Sequence, residues 1–444
     1  MGVTAGSTSD SGGVPVVHRP PLPVAIAGGV VSAFRRGIGY SSRRGHQLRL
    51  PRFEARSVPL PARNLATVLH ATLDELVIGG FQTLREGLSP SEFQRVENEV
   101  DAATALFERE GWLDDPSAYH TSPPPLTAPA SGELRVLGTT YATVSFESGY
   151  EPHPGEPGRP RWLGYEANRT ARALMLRHED GPRPWLVCIH GAESARPWVD
   201  TRMFRAEYLH RVMGLNVLLP VLPLHGPRRR GAAASFPTMD LLDNVHGLAQ
   251  AAWDVRRLLS WVRGQDPLGV GLMGFSLGGY TGALVAGLDA ELDCVIGCAP
   301  ASDFPALFRR NMPRPGRDQE RFRLLMTKAE TLHRVVSPLA LPPATPPENL
   351  FLVSGLADRL AHPTEQVAGL WHHWGRPVIL WHHGGHVGHQ FVADATRFVD
   401  EVIGRTLVAP QPPEAGAGRH EDRAAAQDGA DRAAKGGRDE RRRR

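Results

Sequence analysis

The pentapeptide Gly274-Phe275-Ser276-Leu277-Gly278 constrains the fold more than any other feature of the chain. It has the form G-x-S-x-G. The segment before it, Val270–Met273, has the composition of a short buried strand, and Gly279–Ala286 after it that of a helix packed closely on a sheet. A strand–serine–helix turn is tight and strained, and glycines two positions before and after the serine remove the Cβ clashes. The sequence therefore predicts a nucleophile elbow that raises the Ser276 hydroxyl above the sheet edge, with a plain tight turn as the alternative.

Candidates for an acid and a base follow along the chain. A serine hydroxyl becomes a good nucleophile when a histidine accepts its proton, and a carboxylate must orient that histidine. Asp358 follows the apolar strand Asn349–Gly355, at the carboxyl end where ligand groups gather in open α/β sheets. His386 follows the next strand, Pro377–Trp381, and two glycines that let the loop turn back over the sheet. The sequence thus offers serine, acid and histidine in the order found in α/β-hydrolases.

Both assignments have competitors. Asp303 follows the preceding strand, Cys294–Cys298, and competes with Asp358 for the role of the acid. Three other histidines compete with His386: His382, His383 and His389. A metal site is the alternative for this histidine cluster, but no carboxylate or cysteine lies within a few residues to complete a coordination shell. We therefore expect no metal, and hydrogen-bonded or solvated loop histidines apart from the base.

The segment from Tyr165 to Gly404 resembles an α/β-hydrolase superfamily domain. The resemblance rests on the elbow Gly-Phe-Ser-Leu-Gly-Gly, on Gly-Leu-Ala-Asp and on Gly-Gly-His, in the usual order. It implies that Ser276 is the nucleophile, Asp358 the orienting acid and His386 the general base. A weaker resemblance is to α/β-hydrolase-domain-containing proteins with a long N-terminal extension, some of them described as lipid or ester hydrolases.

An oxyanion hole requires two backbone donors. One is the N–H of Leu277, directly after the nucleophile. The second is expected from the loop that follows the strand Trp185–Ile189, where His190-Gly191 resembles the family's usual element and implies the N–H of Ala192. A second His-Gly pair, His225-Gly226, is the alternative, either as a donor or as a pocket wall.

The alternation of strands and helices predicts the architecture. Helices such as Thr201–Met213 and Asp240–Arg263 separate the predicted strands, which indicates parallel βαβ units. Further strand-like segments are Arg135–Phe146 and Ala171–Arg177. We expect the α/β class, with an α/β-hydrolase fold whose mostly parallel sheet has helices on both faces.

Composition divides the chain into four parts. These are a basic, partly disordered arm (residues 1–63), a helical accessory segment with a Pro-rich connector (64–130), the hydrolase domain (131–409) and a disordered charged tail (410–444). Within the domain, residues 303–348 form a lid-like insertion with the helical run Arg317–His333.

The accessory segment contains a well-marked helix. Ser89 is the expected N-cap, Pro90 the first helical residue and Glu92 the partner in a capping box, and the helix is expected to end at Gly111. Its apolar face consists of Phe93, Val96, Val100, Ala103 and Phe107. We expect this face to pack on the hydrolase domain rather than to bind a partner.

Charge and cysteine usage limit the partners and the compartment. Residues 1–63 contain nine arginines and two acids, whereas the part between the arm and the tail has a net charge of −6 within a total of +3. No nucleic-acid-binding motif accompanies the basic ends, so we expect no nucleic-acid partner. The three cysteines, Cys188, Cys294 and Cys298, fall in predicted buried strands, which favours a reducing, cytoplasmic location.

The apolar run Leu22–Phe34 is too short to span a bilayer. With the arginines after it, this run could form a peripheral membrane contact, and a flexible tail is the alternative.

These features predict a serine hydrolase that cleaves a carboxylic ester and needs no cofactor. Its substrate would be a small-molecule or lipid ester, and four tryptophans are candidates either for an acyl pocket or for packing: Trp198, Trp371, Trp374 and Trp381. The enzymatic alternatives are a lipid acyl hydrolase at a membrane surface and a serine peptidase, since the same triad cleaves amides. The non-enzymatic alternative is a hydrolase-fold binding or scaffold protein.

Overall fold

The computed structural model describes residues 58–84, 88–229, 236–311 and 319–409. Most of the basic arm, including the apolar run Leu22–Phe34, and all of the charged tail lie outside these ranges. No helix in the described part of the chain has both the length and the apolar content that a membrane crossing needs.

One nine-stranded sheet organises the protein. Its spatial order is β1-β2-β3-β5-β4-β6-β7-β8-β9. The first three pairings in this order are antiparallel, and the other five are parallel. The strands are β1 (Ala130–Val136), β2 (Thr139–Glu147), β3 (Thr170–Leu176), β4 (Trp185–Ile189), β5 (Asn216–Val221), β6 (Val270–Phe275), β7 (Cys294–Cys298), β8 (Leu350–Gly355) and β9 (Val378–His382). This order, with the chain crossing over between β4 and β5, is the α/β-hydrolase architecture predicted from the sequence.

Helices connect the strands. Those in the described ranges are α1 (Leu65–Leu84), α2 (Pro90–Arg109), α3 (Arg159–Leu163), α4 (Pro197–Met203), α5 (Ala206–Arg211), α6 (Leu241–Arg263), α7 (Leu277–Ala286), α8 (Phe304–Asn311), α9 (Gln319–Leu332), α10 (Ala368–His373) and α11 (Ala393–Ile403). Pro363–Val367 and Gly404–Val408 are π-helical turns, and short 3₁₀ turns occur in several loops.

Both faces of the sheet are covered, as the burial of the central strand β4 shows. Trp185, Val187 and Ile189 lie in the core that contains residues of α6 and α7. The alternate residues Leu186 and Cys188 lie in a second core, formed with α5 and α11. Side chains alternate across a strand, so a strand that is apolar throughout must be buried on both sides.

Two predicted elements differ in detail from the structure. The run Arg135–Phe146 is part of a hairpin, because Leu137 and Gly138 have positive φ values of 51° and 94° and reverse the chain. The predicted helix Thr201–Met213 is two helices, α4 and α5. Arg205 between them has a φ of 53°, which no α-helix accommodates.

The N-terminal helices pack on the hydrolase fold. Helix α2 begins with the capping box between Ser89 and Glu92, and its apolar face lies in the same core as the elbow helix α7. Lys328 of α9 donates to Asp101 of α2 at 2.6 Å, and Gln82 of α1 donates to the carbonyl of Asn311 in α8 at 2.8 Å. Helices α8 and α9 of the predicted lid-like insertion are therefore tied to the segment before the sheet.

Candidate active site

Ser276 lies at a strained turn between β6 and α7. Its φ and ψ are 55° and −112°, a conformation that a residue with a side chain rarely adopts. The turn is also crowded: a Cβ atom at Gly274 would lie 2.1 Å from the carbonyl oxygen of Gly278, and one at Gly278 would lie 1.9 Å from that of Ile189. Only glycine fits at these two positions, and Ser276 between them remains partly exposed.

Asp358 and His386 form a buried pair beside this turn. The Nδ1–H of His386 donates to Oδ2 of Asp358 at 2.7 Å. The other carboxylate oxygen accepts the N–H groups of Leu360 and Ala361 at 2.9 and 2.8 Å, so the acid is held on both sides. The His386 ring lies against the ring of Phe275, with centroids 4.9 Å apart, which places it next to the elbow.

The electrostatics of the pair strengthen His386 as a base. Burial by itself lowers the pKa of His386, but the charge of Asp358, its hydrogen bond and the charge of Asp74 together raise the pKa above 6.5. The imidazole is thus a stronger base than an isolated histidine.

The competing acid has a different contact. Oδ1 of Asp303 accepts the N–H of Ala306 at 2.9 Å, in the first turn of α8. Its own N–H donates to Gln366 at 2.9 Å. The carboxylate bonded to His386 is that of Asp358.

The other histidines of the loop are engaged elsewhere. His382 accepts the N–H of Gly384 at Nδ1, so its Nε2 must carry the proton that is donated to Nδ1 of His389 at 2.9 Å. Burial lowers the pKa of His382 to about 4 and that of His389 well below 6.5, so both are neutral. His383 accepts the N–H of Ala62 at 3.3 Å. Nowhere in the described ranges are three or more metal-ligating side chains grouped for a metal ion.

The loop after β4 lies against the elbow. A Cβ atom at Gly191 would lie 3.4 Å from the Cβ of Ser276, so the adjacent Ala192 is close to this serine. Across the described residues, the N–H groups of Ala192 and Leu277 have no hydrogen-bond acceptor. Two free amides beside one serine are what an oxyanion hole requires.

The second His-Gly pair supports this loop. His225 is buried, and its Nε2 accepts the N–H of Glu193 at 3.3 Å. Its Nδ1–H donates to the carbonyl of Pro223 at 2.9 Å, which fixes the tautomer. The imidazole thereby holds the residue after Ala192.

Sequence reasoning missed one residue at the site. Asp74 of α1 is fully buried and accepts the N–H groups of His386 and Val387 at 2.8 and 3.0 Å, and that of Arg359 at 3.0 Å. The signal in the sequence was an isolated Asp74-Glu75 pair in the middle of a 20-residue helix that has no other acidic or basic residue except His70.

The candidate pocket tryptophans have mixed surroundings. Trp374 is buried, and Trp371 packs on the core that contains Trp374. The rings of Trp371 and Trp381 have centroids 6.3 Å apart. Trp198 at the start of α4 is half exposed.

Comparison with known proteins places the chain in a family. No protein-family model matches it. Two proteins of Mycobacterium tuberculosis, "Uncharacterized protein MT2702" of strain CDC 1551 and "Uncharacterized protein Rv2627c" of strain H37Rv, are each 43% identical to it over 358 residues. The match covers 80% of this chain and 86% of each relative.

Solved structures with similar architecture include an acetyl xylan esterase from Paenibacillus sp. R4, at 17% identity and a TM-score of 0.45, over 72% of this chain and 98% of the other. A puromycin-hydrolyzing peptidase of Mycobacterium tuberculosis matches at 17% identity and a TM-score of 0.41, over 65% of this chain and 40% of the other. By its sequence identity the chain belongs to the family of the two mycobacterial proteins, and its sheet order and its turn at Ser276 are those of the α/β-hydrolase fold.

Proposed function

We propose that the protein is a serine hydrolase that cleaves a carboxylic ester through Ser276, His386 and Asp358. The observation that carries the proposal is the buried Asp358–His386 hydrogen bond beside a strained, partly exposed serine. A serine that served only as a turn residue would need neither the strain nor a histidine oriented by a carboxylate.

In the first half of the reaction, Oγ of Ser276 attacks the ester carbonyl carbon while Nε2 of His386 accepts the hydroxyl proton. The imidazolium that forms is stabilised by Asp358, whose carboxylate stays ionised. His386 then gives the proton to the leaving alkoxide, and an acyl-serine remains.

In the second half, water attacks the acyl-serine and His386 takes its proton, then returns it to Oγ of Ser276 as the acid is released. In each half, the negative charge on the carbonyl oxygen is held by the N–H groups of Leu277 and Ala192. Preorganised amide donors are worth about 10²–10³-fold in rate each.

We propose an ester rather than an amide because an alkoxide is the better leaving group. An amide nitrogen leaves only after it has been protonated. The substrate would be a small-molecule or lipid ester. Amide and phospholipid hydrolysis are the competing activities, and a common panel separates them.

The test is fluorophosphonate labelling of the wild-type protein and of Ser276→Ala, with turnover of p-nitrophenyl acetate, butyrate and decanoate, a phospholipid and an aminoacyl amide. We expect labelling and ester turnover in the wild type and neither in the variant. A folded wild type that is not labelled and turns over nothing would contradict the proposal and favour a binding protein. Faster turnover of the amide than of any ester would indicate that the protein is a peptidase rather than an esterase.

A further inference from the structure

Asp74 connects three amides from two separate loops. Oδ2 accepts the N–H of Arg359, next to the acid Asp358, and also the N–H of His386 itself, at 3.0 and 2.8 Å. Oδ1 accepts the N–H of Val387 at 3.0 Å. One side chain of α1 therefore fixes the backbone on both sides of the Asp358–His386 hydrogen bond.

An ionised carboxylate suits these contacts best, because it offers two acceptor oxygens and no O–H group. Backbone N–H groups can donate but not accept, so both oxygens of Asp74 must be acceptors. The side chain is fully buried, where a charged carboxylate is unfavourable unless its hydrogen bonds are made.

Helix α1 meets the same loops at further points. Glu75 accepts a hydrogen bond from Nε of Arg359 at 2.9 Å. A Cβ atom at Gly385 would lie 2.9 Å from Oδ2 of Asp74, so the histidine loop is packed directly on the carboxylate. The ring of His70 lies 3.3 Å from the Cβ position of Gly388.

We infer that Asp74, outside the segment that resembles a hydrolase domain, is a positioning residue that holds the loops of Asp358 and His386 in register and adds its charge to the histidine. The inference rests on the proposed function, because the residues it positions are those of the proposed triad. It makes the N-terminal helix a part of the catalytic unit.

Charges around Asp74 support this role. Burial and the charge of Asp358 raise the pKa of Asp74 to about 6, although His386 and the amides of His386 and Val387 lower it. In turn, the charge of Asp74 contributes to the raised pKa of His386. The other titratable groups packed near it are His70, Glu75 and Arg359, and the last two pair with each other.

Asp74→Asn is the decisive variant because it preserves shape and changes one oxygen to an NH₂ group. The best orientation keeps the oxygen at the Oδ2 position and sets the NH₂ against the N–H of Val387, so one amide loses its acceptor. We expect kcat to fall by about 10- to 100-fold with little change in KM.

Asp101→Asn is the matched control. It makes the same change in the same N-terminal segment, at an exposed ion pair with Lys328, and should leave the activity unchanged.

A pH profile separates positioning from bulk stability. In the wild type, kcat/KM should fall at acid pH as both His386 and Asp74 take up protons. The acid limb of the pH profile should therefore be steeper than the protonation of one group would make it. In Asp74→Asn the limb should follow one proton and move to lower pH, because the charge that helps to raise the pKa of His386 is gone. NMR titration of the His386 ring in both proteins should show the same downward shift of its pKa, and it requires no turnover.

A second variant covers the case in which Asp74→Asn does not fold. Gly385→Ala pushes the histidine loop from the carboxylate without removing any hydrogen-bonding group, and it should also lower kcat. Wild-type kcat in Asp74→Asn, or an acid limb and a His386 pKa that do not move, would overturn the inference. If Asp74→Asn is unfolded, a wild-type kcat in Gly385→Ala would overturn the inference instead. An unlabelled wild type would instead refute the proposed hydrolase, and the NMR titration would still decide whether Asp74 acts on His386.

Discussion

Nδ1 of His386 lies 2.7 Å from Oδ2 of Asp358, and the two side chains are 5% and 0% exposed. This bond fixes the tautomer of the histidine: the proton is on Nδ1, and the lone pair of Nε2 is free to accept a proton from a hydroxyl. Because Asp358 is also held by two backbone amides, neither side chain can rotate away from the elbow.

Asp358→Asn should lower kcat by about 10⁴-fold, because the amide would stabilise the wrong tautomer of His386 and could not stabilise the imidazolium. The matched control is Asp303→Asn. Asparagine caps a helix about as well as aspartate, so this variant should keep both its stability and nearly all of its activity. Steady-state ester hydrolysis measures both. A large loss in Asp303→Asn with near-normal Asp358→Asn would transfer the acid role to Asp303.

Ser276→Ala and Ser276→Gly should both be inactive but should differ in stability. The φ of 55° strains alanine as much as serine, whereas glycine adopts it freely. We expect the glycine variant to be more stable than the alanine variant by about 1 kcal/mol. Urea unfolding of the two variants tests this, and equal stabilities would show that the elbow stores no such strain.

The pH dependence of stability should carry the signature of Asp74. Its pKa is about 6 in the folded protein against an ordinary value of 3.8, so between these values the folded state binds more protons than the unfolded state. The free energy of unfolding should therefore decrease as the pH rises from about 4 to about 6, by about 3 kcal/mol from this group alone.

In Asp74→Asn this contribution is absent. Urea unfolding of both proteins across that pH range tests this. As the pH rises, the wild type should lose stability relative to the variant. Parallel curves for the two proteins would mean that the carboxyl group titrates normally.

Two glycines of α7 should respond in opposite ways to alanine. Gly278→Ala puts a methyl group 1.9 Å from the carbonyl oxygen of Ile189 and should destabilise the protein by more than about 3 kcal/mol. At Gly282 the added methyl group would meet no atom within 4 Å apart from its own helix backbone, so Gly282→Ala should stabilise the helix by about 0.5–1 kcal/mol. Thermal unfolding compares the two, and a tolerated Gly278→Ala would mean that the elbow is less tightly packed than the structure shows.

Local sequence patterns predicted much of the fold. Buried strands such as Trp185–Ile189 and Cys294–Cys298 are continuous apolar runs, and their bounds in the structure match the predicted ones. The hairpin turn and the helix break were missed because they depend on single backbone conformations, at Gly138 and Arg205, that periodicity does not reveal.

The sequence by itself determined the α/β-hydrolase fold and the order of serine, acid and histidine, because strands, tight turns and loop ends leave marks within a few neighbouring residues. The tertiary structure decided which carboxylate is bonded to His386, since Asp303 and Asp358 both follow apolar strands and differ only in where their loops lead. It alone revealed Asp74, which is 312 residues from His386 along the chain. Contacts across such a separation depend on how the helices pack against the sheet, and that packing is set by the whole core rather than by any short segment.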